Sequence, residues 1–361
     1  HPLQPFSRRY FERAAKENAA LFTYAGEWRM AHADSAAPAP AHGLPAFEAL
    51  LEPLSLQQLV RFLKNPVKAF FRVRLDVVFD EQGAQDDDEV FALDGLSRHA
   101  LLTDLLDDPQ TAVREGVEHN IARRLHRLRG SGVLPMRALG ERVAQALQQE
   151  ALPMLARWAE LRQTYPHGAE KIPLRFAHAG VQLDDWLGDL RKGAQGRVWM
   201  LLTASRLLGD KASPRPDKLL DAWVRQLATS ACGEAAEGWL IGPDASLQLP
   251  PLAQEAAAAH LQALLAAWKT GMDAPLPIAA RTALAELAKG KGAATYDGSF
   301  NTTGEVEEPC LARVFPDFDT LRADGRFDHY KDTLFQPLLD WAQGCSVMIH
   351  SQMPAHTGED A

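Results

Sequence analysis

The groups in this chain whose types and spacing could do chemistry are a few carboxylates, one well-placed histidine and two clusters of cations. In Val181-Gln-Leu-Asp-Asp-Trp-Leu-Gly-Asp-Leu190, Asp184 and Asp189 lie among apolar residues at strand-like intervals. Arg197-Val-Trp-Met-Leu-Leu-Thr-Ala204 follows after a turn rich in glycine. Strand side chains repeat every two residues, so an acid, a spacer and a lysine on the second strand would stand side by side and share a divalent ion and its water. The second segment supplies neither group, ending instead in Leu202, Thr203 and Ala204. One carboxylate on the first strand is a poor cage for a divalent cation. Asp184 cannot assist Asp189, because four or five residues along a strand span roughly 13 to 17 Å.

The cations are the positive candidates. Arg123, Arg124, Arg127 and Arg129, with His126 among them, precede Gly130 and could grip a strand of nucleic acid by its phosphates. The plainer reading is that arginines answer the negative end of a helix or solvate its face. Lys64, Lys68, Arg72 and Arg74 flank Phe70 and Phe71. Interleaved aromatics can stack on bases, although adjacent phenylalanines in a helix ordinarily belong to a core. Gly290-Lys-Gly-Ala-Ala-Thr295 lacks the register of a phosphate loop. Asp86, Asp87 and Asp88 form an acidic run that hydration accounts for, and no nucleophile has a recognisable base. No cofactor and no metal site is expected.

The elements that must position these residues follow from periodicity. Val181–Leu190 and Arg197–Ala204 read as one hairpin turning at Arg191–Gly196, the second strand apolar enough to be buried on both faces. Ser55 is an N-cap for a helix with Leu56, Leu59, Val60 and Leu63 on one side, and Asn65-Pro66 ends it and starts another. Apolar positions three and four apart predict helices over Leu96–Leu106, Thr111–Leu128 and Ala138–Leu161. Further helices are expected over Lys218–Ala231, Leu252–Trp268, Ala279–Lys289 and Asp328–Gln343. Trp239–Leu249 is a short hairpin turning at Gly242-Pro-Asp244, and Gly290–Glu308 is a loop. This order suits a mixed sheet with helices on both faces, an α/β fold. Residues 1–45 are an N-terminal arm and a Pro- and Ala-rich linker, and 46–235 a first body of helices followed by the central hairpin. Residues 236–344 continue that domain, mainly as helices, and 345–361 are a mobile tail. Asp80–Glu89 is an exposed acidic loop.

At 361 residues the chain can bury a large core. It begins at His1, as a fragment or processed product would. Its formal charge of −9 opposes nonspecific attraction to phosphate, so any nucleic-acid contact must be local. Cys232, Cys310 and Cys345 have neither paired nor metal-type spacing, which fits a reducing cytoplasm. No apolar run approaches the ~20 residues that span a bilayer, so no membrane partner is expected.

The apolar strand, glycine-bearing turn and Gly196-Arg-x-x-hydrophobic-hydrophobic-x-x-x-Ser205 resemble the RecB-like branch of the PD-(D/E)xK nucleases. Active members carry an acid at the position of Leu202 and a lysine at that of Ala204, and a first-strand aspartate that corresponds to Gly188 or Asp189. Their early-helix G-x-x-x-H is matched by Gly95-Leu-Ser-Arg-His99, and their later Q-x-x-x-Y falls at Leu219 and Trp223. His99 and Asp189 would then be relics of a lost metal site, His99 equally a chance helix-surface residue. His1-Pro-Leu-Gln-Pro-Phe-Ser-Arg-Arg-Tyr-Phe11, Leu54–Phe71, Leu93–Leu96, Leu128–Pro135 and Leu240–Ala245 are similar to the C-terminal domains of RecC, the gamma subunit of exonuclease V. That resemblance implies a nuclease-like fold without the chemistry, serving as scaffold and DNA strand guide. It also implies docking to RecB-type and RecD-type subunits, and contact with a double-stranded end and the unwound strands. Two rivals stand beside it: a working nuclease that uses His99, Asp189 and a displaced acid such as Asp217, and a protein-docking module that touches no DNA.

Overall fold

The computed structural model describes residues 7, 10–11, 44–48, 52–79, 94–300 and 302–350. Most of the arm and linker, the acidic stretch Asp80–Glu89 with Asp86, Asp87 and Asp88, and residues 351–361 lie outside the described residues. The chain divides into two units, His1–Ala46 and Phe47–Ala361, and the described α-helices and strands all lie in the second.

Ser55 caps helix α1 (Leu56–Lys64) in a reciprocal capping box with Gln58. Asn65 caps α2 (Pro66–Arg74), with Pro66 in the first turn where its missing N–H costs nothing. Four helices follow: α3 (Gly95–Leu106), α4 (Pro109–Glu115), α5 (Val117–Gly130) and α6 (Arg137–Thr164). The periodic stretch Thr111–Leu128, expected as one helix, is broken between α4 and α5. Gly116 there takes φ +93°, which helical backbone does not permit.

The strands then run β1 (His167–Gly168), β2 (Ile172–His178), β3 (Val181–Leu187), β4 (Arg191–Gly193) and β5 (Gly196–Leu202). Here the expected hairpin is corrected. β3 pairs antiparallel with β2 in a separate two-stranded ribbon, while β5 pairs antiparallel with the short β4. The chain turns aside between them at Asp189, whose φ of +55° is left-handed. Helix α7 (Leu220–Ala231) leads to β6 (Ala236–Ile241), which lies parallel to β5, and β7 (Ala245–Leu249) returns beside β6 as expected.

Helices α8 (Gln254–Asp273) and α9 (Ala280–Lys289) follow, then α10 (Gly292–Asp297). α10 replaces the start of the expected Gly290–Glu308 loop because the buried Tyr296 anchors it, donating its hydroxyl to Phe315 O at 2.6 Å. α11 (Pro309–Val314), α12 (Phe318–Arg322), α13 (Arg326–Tyr330), a π turn over Lys331–Phe335 and α14 (Gln336–Gln343) come next. Strand β8 (Ser346–Ile349) then pairs antiparallel with β7. The start of the expected mobile tail is therefore sheet.

The six strands lie in the order β1-β4-β5-β6-β7-β8. Alternation along them feeds two cores. Trp199, Leu240, Leu247 and Leu249 face the core made with α1, α7, α8 and α9, while Val198, Trp239 and Ile241 face the core made with α3 to α6. β5 is thus covered on both sides, as its apolar run predicts. Gly238 stands opposite Trp199 in the parallel pair because the indole occupies the space of a side chain there. A Cβ would lie 2.3 Å from Trp199 Cζ2.

Candidate functional site

The end of β5 is where the sequence placed its vacant positions. Leu202 and Ala204 stand on the Val198 face of the strand and pack against the second core, as apolar side chains do. Thr203 N donates to Ile241 O at 2.9 Å, and Ser205 N to Thr203 Oγ1 at 3.2 Å, so the strand end is tied to β6 and to its own threonine side chain. Helix α3 crosses this end and brings His99 Nε2 to 3.3 Å from Ser205 Oγ. His99, Leu202 and Ala204 are thus on one side of the sheet.

The nearby carboxylates are engaged by fixed partners. Glu150 of α6 takes Arg98 at 2.5 Å and Arg206 at 3.9 Å. Asp244, in the β6–β7 turn, accepts from Leu207 N at 2.8 Å and Leu208 N at 3.0 Å. Ser205 closes the motif read from the sequence, whereas Glu150 was not marked by local pattern, because its role arises from contacts across the fold.

Asp189 stands elsewhere. It is exposed and faces Arg225 of α7, whose guanidinium lies 5.5 Å from the Trp199 ring on the opposite face of the sheet from Leu202. Burial presses that guanidinium below its usual range, against the pull of Asp189, Asp185 and Asp221. Gly188 sits beside Lys171. Asp184 pairs with Arg175 at 3.3 Å, and Asp217 with Arg215 at 2.9 Å and Lys218 at 3.4 Å. Leu219 and Trp223 are core residues. Among the described residues no three His, Cys, Asp or Glu side chains converge as metal ligands would.

The arginine cluster divides on folding. Arg123 pairs with Glu115 at 2.6 Å, and Arg124 donates to the Asp104 carbonyl near the end of α3. Arg127 and Arg129 are exposed with no ion pair among the described residues, and at about 100° per residue they point to different sides of α5. Of the other cluster, Lys64 pairs with Asp221 at 2.5 Å and Lys68 with Glu308 at 3.6 Å, leaving Arg72 exposed. Phe70 is buried and meets Phe71 edge-on at 5.9 Å, so these rings serve the core.

A cationic feature that the sequence did not reveal lies between α4 and α6. A cleft of about 520 Å³ there is lined by Asp108, Gln110, Thr111, Arg114, Arg162 and Gln163, among others. Arg114 and Arg162 are far apart in sequence, and only the packing of α4 on α6 brings them to one cleft.

A family model described as the RecC C-terminal domain matches residues 51–291. The RecBCD enzyme subunit RecC of Escherichia coli (strain K12) is 29% identical over 279 residues, covering 76% of this chain and 22% of that protein. The RecBCD enzyme subunit RecC of Haemophilus influenzae is 28% identical over 227 residues, covering 59% of this chain and 18% of that protein. The chain therefore spans about a fifth of the length of these relatives. No helix among the described residues is long and apolar enough to cross a membrane. The match over most of its length, on an α/β body whose sheet is flanked by helices, makes this chain a member of the RecC C-terminal domain family.

Proposed function

We propose that this chain is a noncatalytic, PD-(D/E)xK nuclease-like domain of a RecC-type subunit. It acts as scaffold and DNA strand guide beside RecB-type and RecD-type partners in a helicase–nuclease for double-strand-break repair and recombination. The observation that supports the reading is the end of β5, where Leu202 and Ala204, which the resemblance matches to an acid and a lysine, pack against a core. Without those groups no hydroxide-generating metal cage can form on that strand. The mixed sheet covered on both faces and the histidine of α3 over the strand end support a nuclease-like frame. Asp189, set against Arg225, is turned away from that frame's strand end.

What remains is rigid surface. Arg127 and Arg129 offer charges that can meet a phosphate backbone without an internal carboxylate to displace. ATP hydrolysis and cleavage then belong to the partners. The test incubates the chain with single- and double-stranded DNA and Mg²⁺ or Mn²⁺, alongside Asp189→Asn. No cleavage by either protein is expected, together with salt-sensitive binding of single strands. Cleavage abolished by Asp189→Asn would overturn the reading.

A further inference from the structure

We infer that the cleft between α4 and α6 is an anion-binding groove that takes adjacent phosphates of a single DNA strand. This rests on the strand-guide reading and names a surface for it. The cleft is lined by polar side chains together with Val113 and Ala159, with Arg114 and Arg162 as its cations. Neither arginine has an ion pair among the described residues, whereas Arg98, Arg123 and Arg157 of the same helical bundle are matched by Glu150, Glu115 and Glu160.

Both guanidinia are nevertheless held in place by uncharged groups. Arg114 Nη2 donates to Thr111 Oγ1 at 3.3 Å, and the Arg162 guanidinium stacks 4.8 Å from the Trp158 ring. Such partners orient a guanidinium fork without neutralising it. The carboxylate lining the cleft, Asp108, is engaged mainly by Thr111, taking its backbone N–H at 3.1 Å to cap α4, and feels Arg124 and Arg114 only as weaker neighbours.

Arg162 stands in the last turn of α6, whose negative end favours a cation there. Just past that turn Arg191 donates Nε to Tyr165 O at 2.6 Å and a second N–H to Pro166 O. Arg191 is thus a third cation within reach of Arg162. Gln110 and Gln163 add neutral donors suited to phosphate or sugar oxygens. In a chain of net charge −9, two oriented arginines without an ion pair among the described residues, set in a cleft with two amides and only Asp108 as a carboxylate, are a local site for a polyanion.

The experiment is a salt titration of binding to a labelled oligothymidylate strand, read by fluorescence anisotropy. It compares the full chain with Arg114→Gln/Arg162→Gln, Arg114→Lys/Arg162→Lys, and Lys269→Gln as a distant control, each checked for an unchanged far-UV spectrum and melting curve. The glutamine pair is expected to weaken binding by about tenfold at low salt and to lower the log–log salt slope by about 1.4, ~0.7 for each phosphate no longer neutralised. The lysine pair keeps most of the slope, and the control matches the parent. If the parent binds but the glutamine pair keeps its affinity and slope, the groove is wrong and the strand-guide reading survives on another surface. If no version binds a strand, both fail. If polyglutamate binds through these arginines while the strand does not, the groove serves an acidic protein segment and the inference falls.

Discussion

Gln226 shows how one polar residue can join three elements. It sits fully buried on α7, accepting from Trp199 Nε1 of β5 at 3.1 Å and donating from Nε2 to Ser230 Oγ and Ala236 O, each at 3.1 Å. A buried donor left unmatched costs about 1–3 kcal/mol, more than the bond contributes when both partners are present. Gln226→Met, which keeps the volume, is therefore expected to lower stability by about 2–4 kcal/mol in urea denaturation with an unchanged slope. Adding Trp199→Phe removes the stranded N–H, so the double variant should lose less than the sum of the two single changes. Strict additivity would show that the indole N–H and Gln226 are not coupled. The sequence indicated Trp199 as core because it lies in an unbroken apolar run. Gln226 was illegible, since a glutamine on a helix ordinarily faces water and only the two elements above it make it internal.

Among the elements, segments were legible and pairings were not. Ser55, Asn65 and Pro66 announced the start of α1 and the join to α2 through capping chemistry that acts within four residues, and the structure uses each as read. Val181–Leu187 and Gly196–Leu202 are strands, yet nothing in their alternation says that the first joins Ile172–His178 and the second joins Ala236–Ile241. Pairing is set by what lies far away in sequence. Gly116 marks the other failure, because its apolar surroundings keep helical spacing through a residue that must turn at φ +93°. Helix propensity alone predicts that Gly116→Ala stabilises by up to about 1 kcal/mol. The geometry predicts the opposite sign, a loss on the order of 1–2 kcal/mol, because alanine resists a positive φ. A raised melting temperature for Gly116→Ala would mean that α4 and α5 can fuse, and the cleft beside α4 would then be a different shape.

At the scale of the whole molecule, one sheet separates and serves two cores, so an edge strand can influence a distant strand end. β8 was hidden in an expected tail because four residues beyond a glycine carry too little pattern to outweigh their position near the end of the chain. Yet Val347 packs on the first core and Met348 on the second, and Arg157 Nη2 reaches Met348 Sδ at 3.3 Å. Just after the strand, His350 N donates to Asp244 O at 3.0 Å and His350 Nε2 meets Ser246 Oγ at 2.8 Å. Asp244 is the residue whose carboxylate holds the Leu207 and Leu208 amides after β5. Removing β8 should therefore loosen the end of β5 as well as the edge of β7. A chain ending at Cys345, compared with one ending at His350, is expected to lose on the order of 3 kcal/mol, from a few net hydrogen bonds and the burial of two apolar side chains. Amide exchange should quicken at Ala245–Leu249, where pairing is lost directly, and also at residues 203–208, with which β8 does not pair. If exchange quickens only in β7, Asp244 does not couple the two edges. The rigidity of the β5 end, on which the scaffold reading depends, must then come from the Thr203 bond to β6, from α3 and from Glu150.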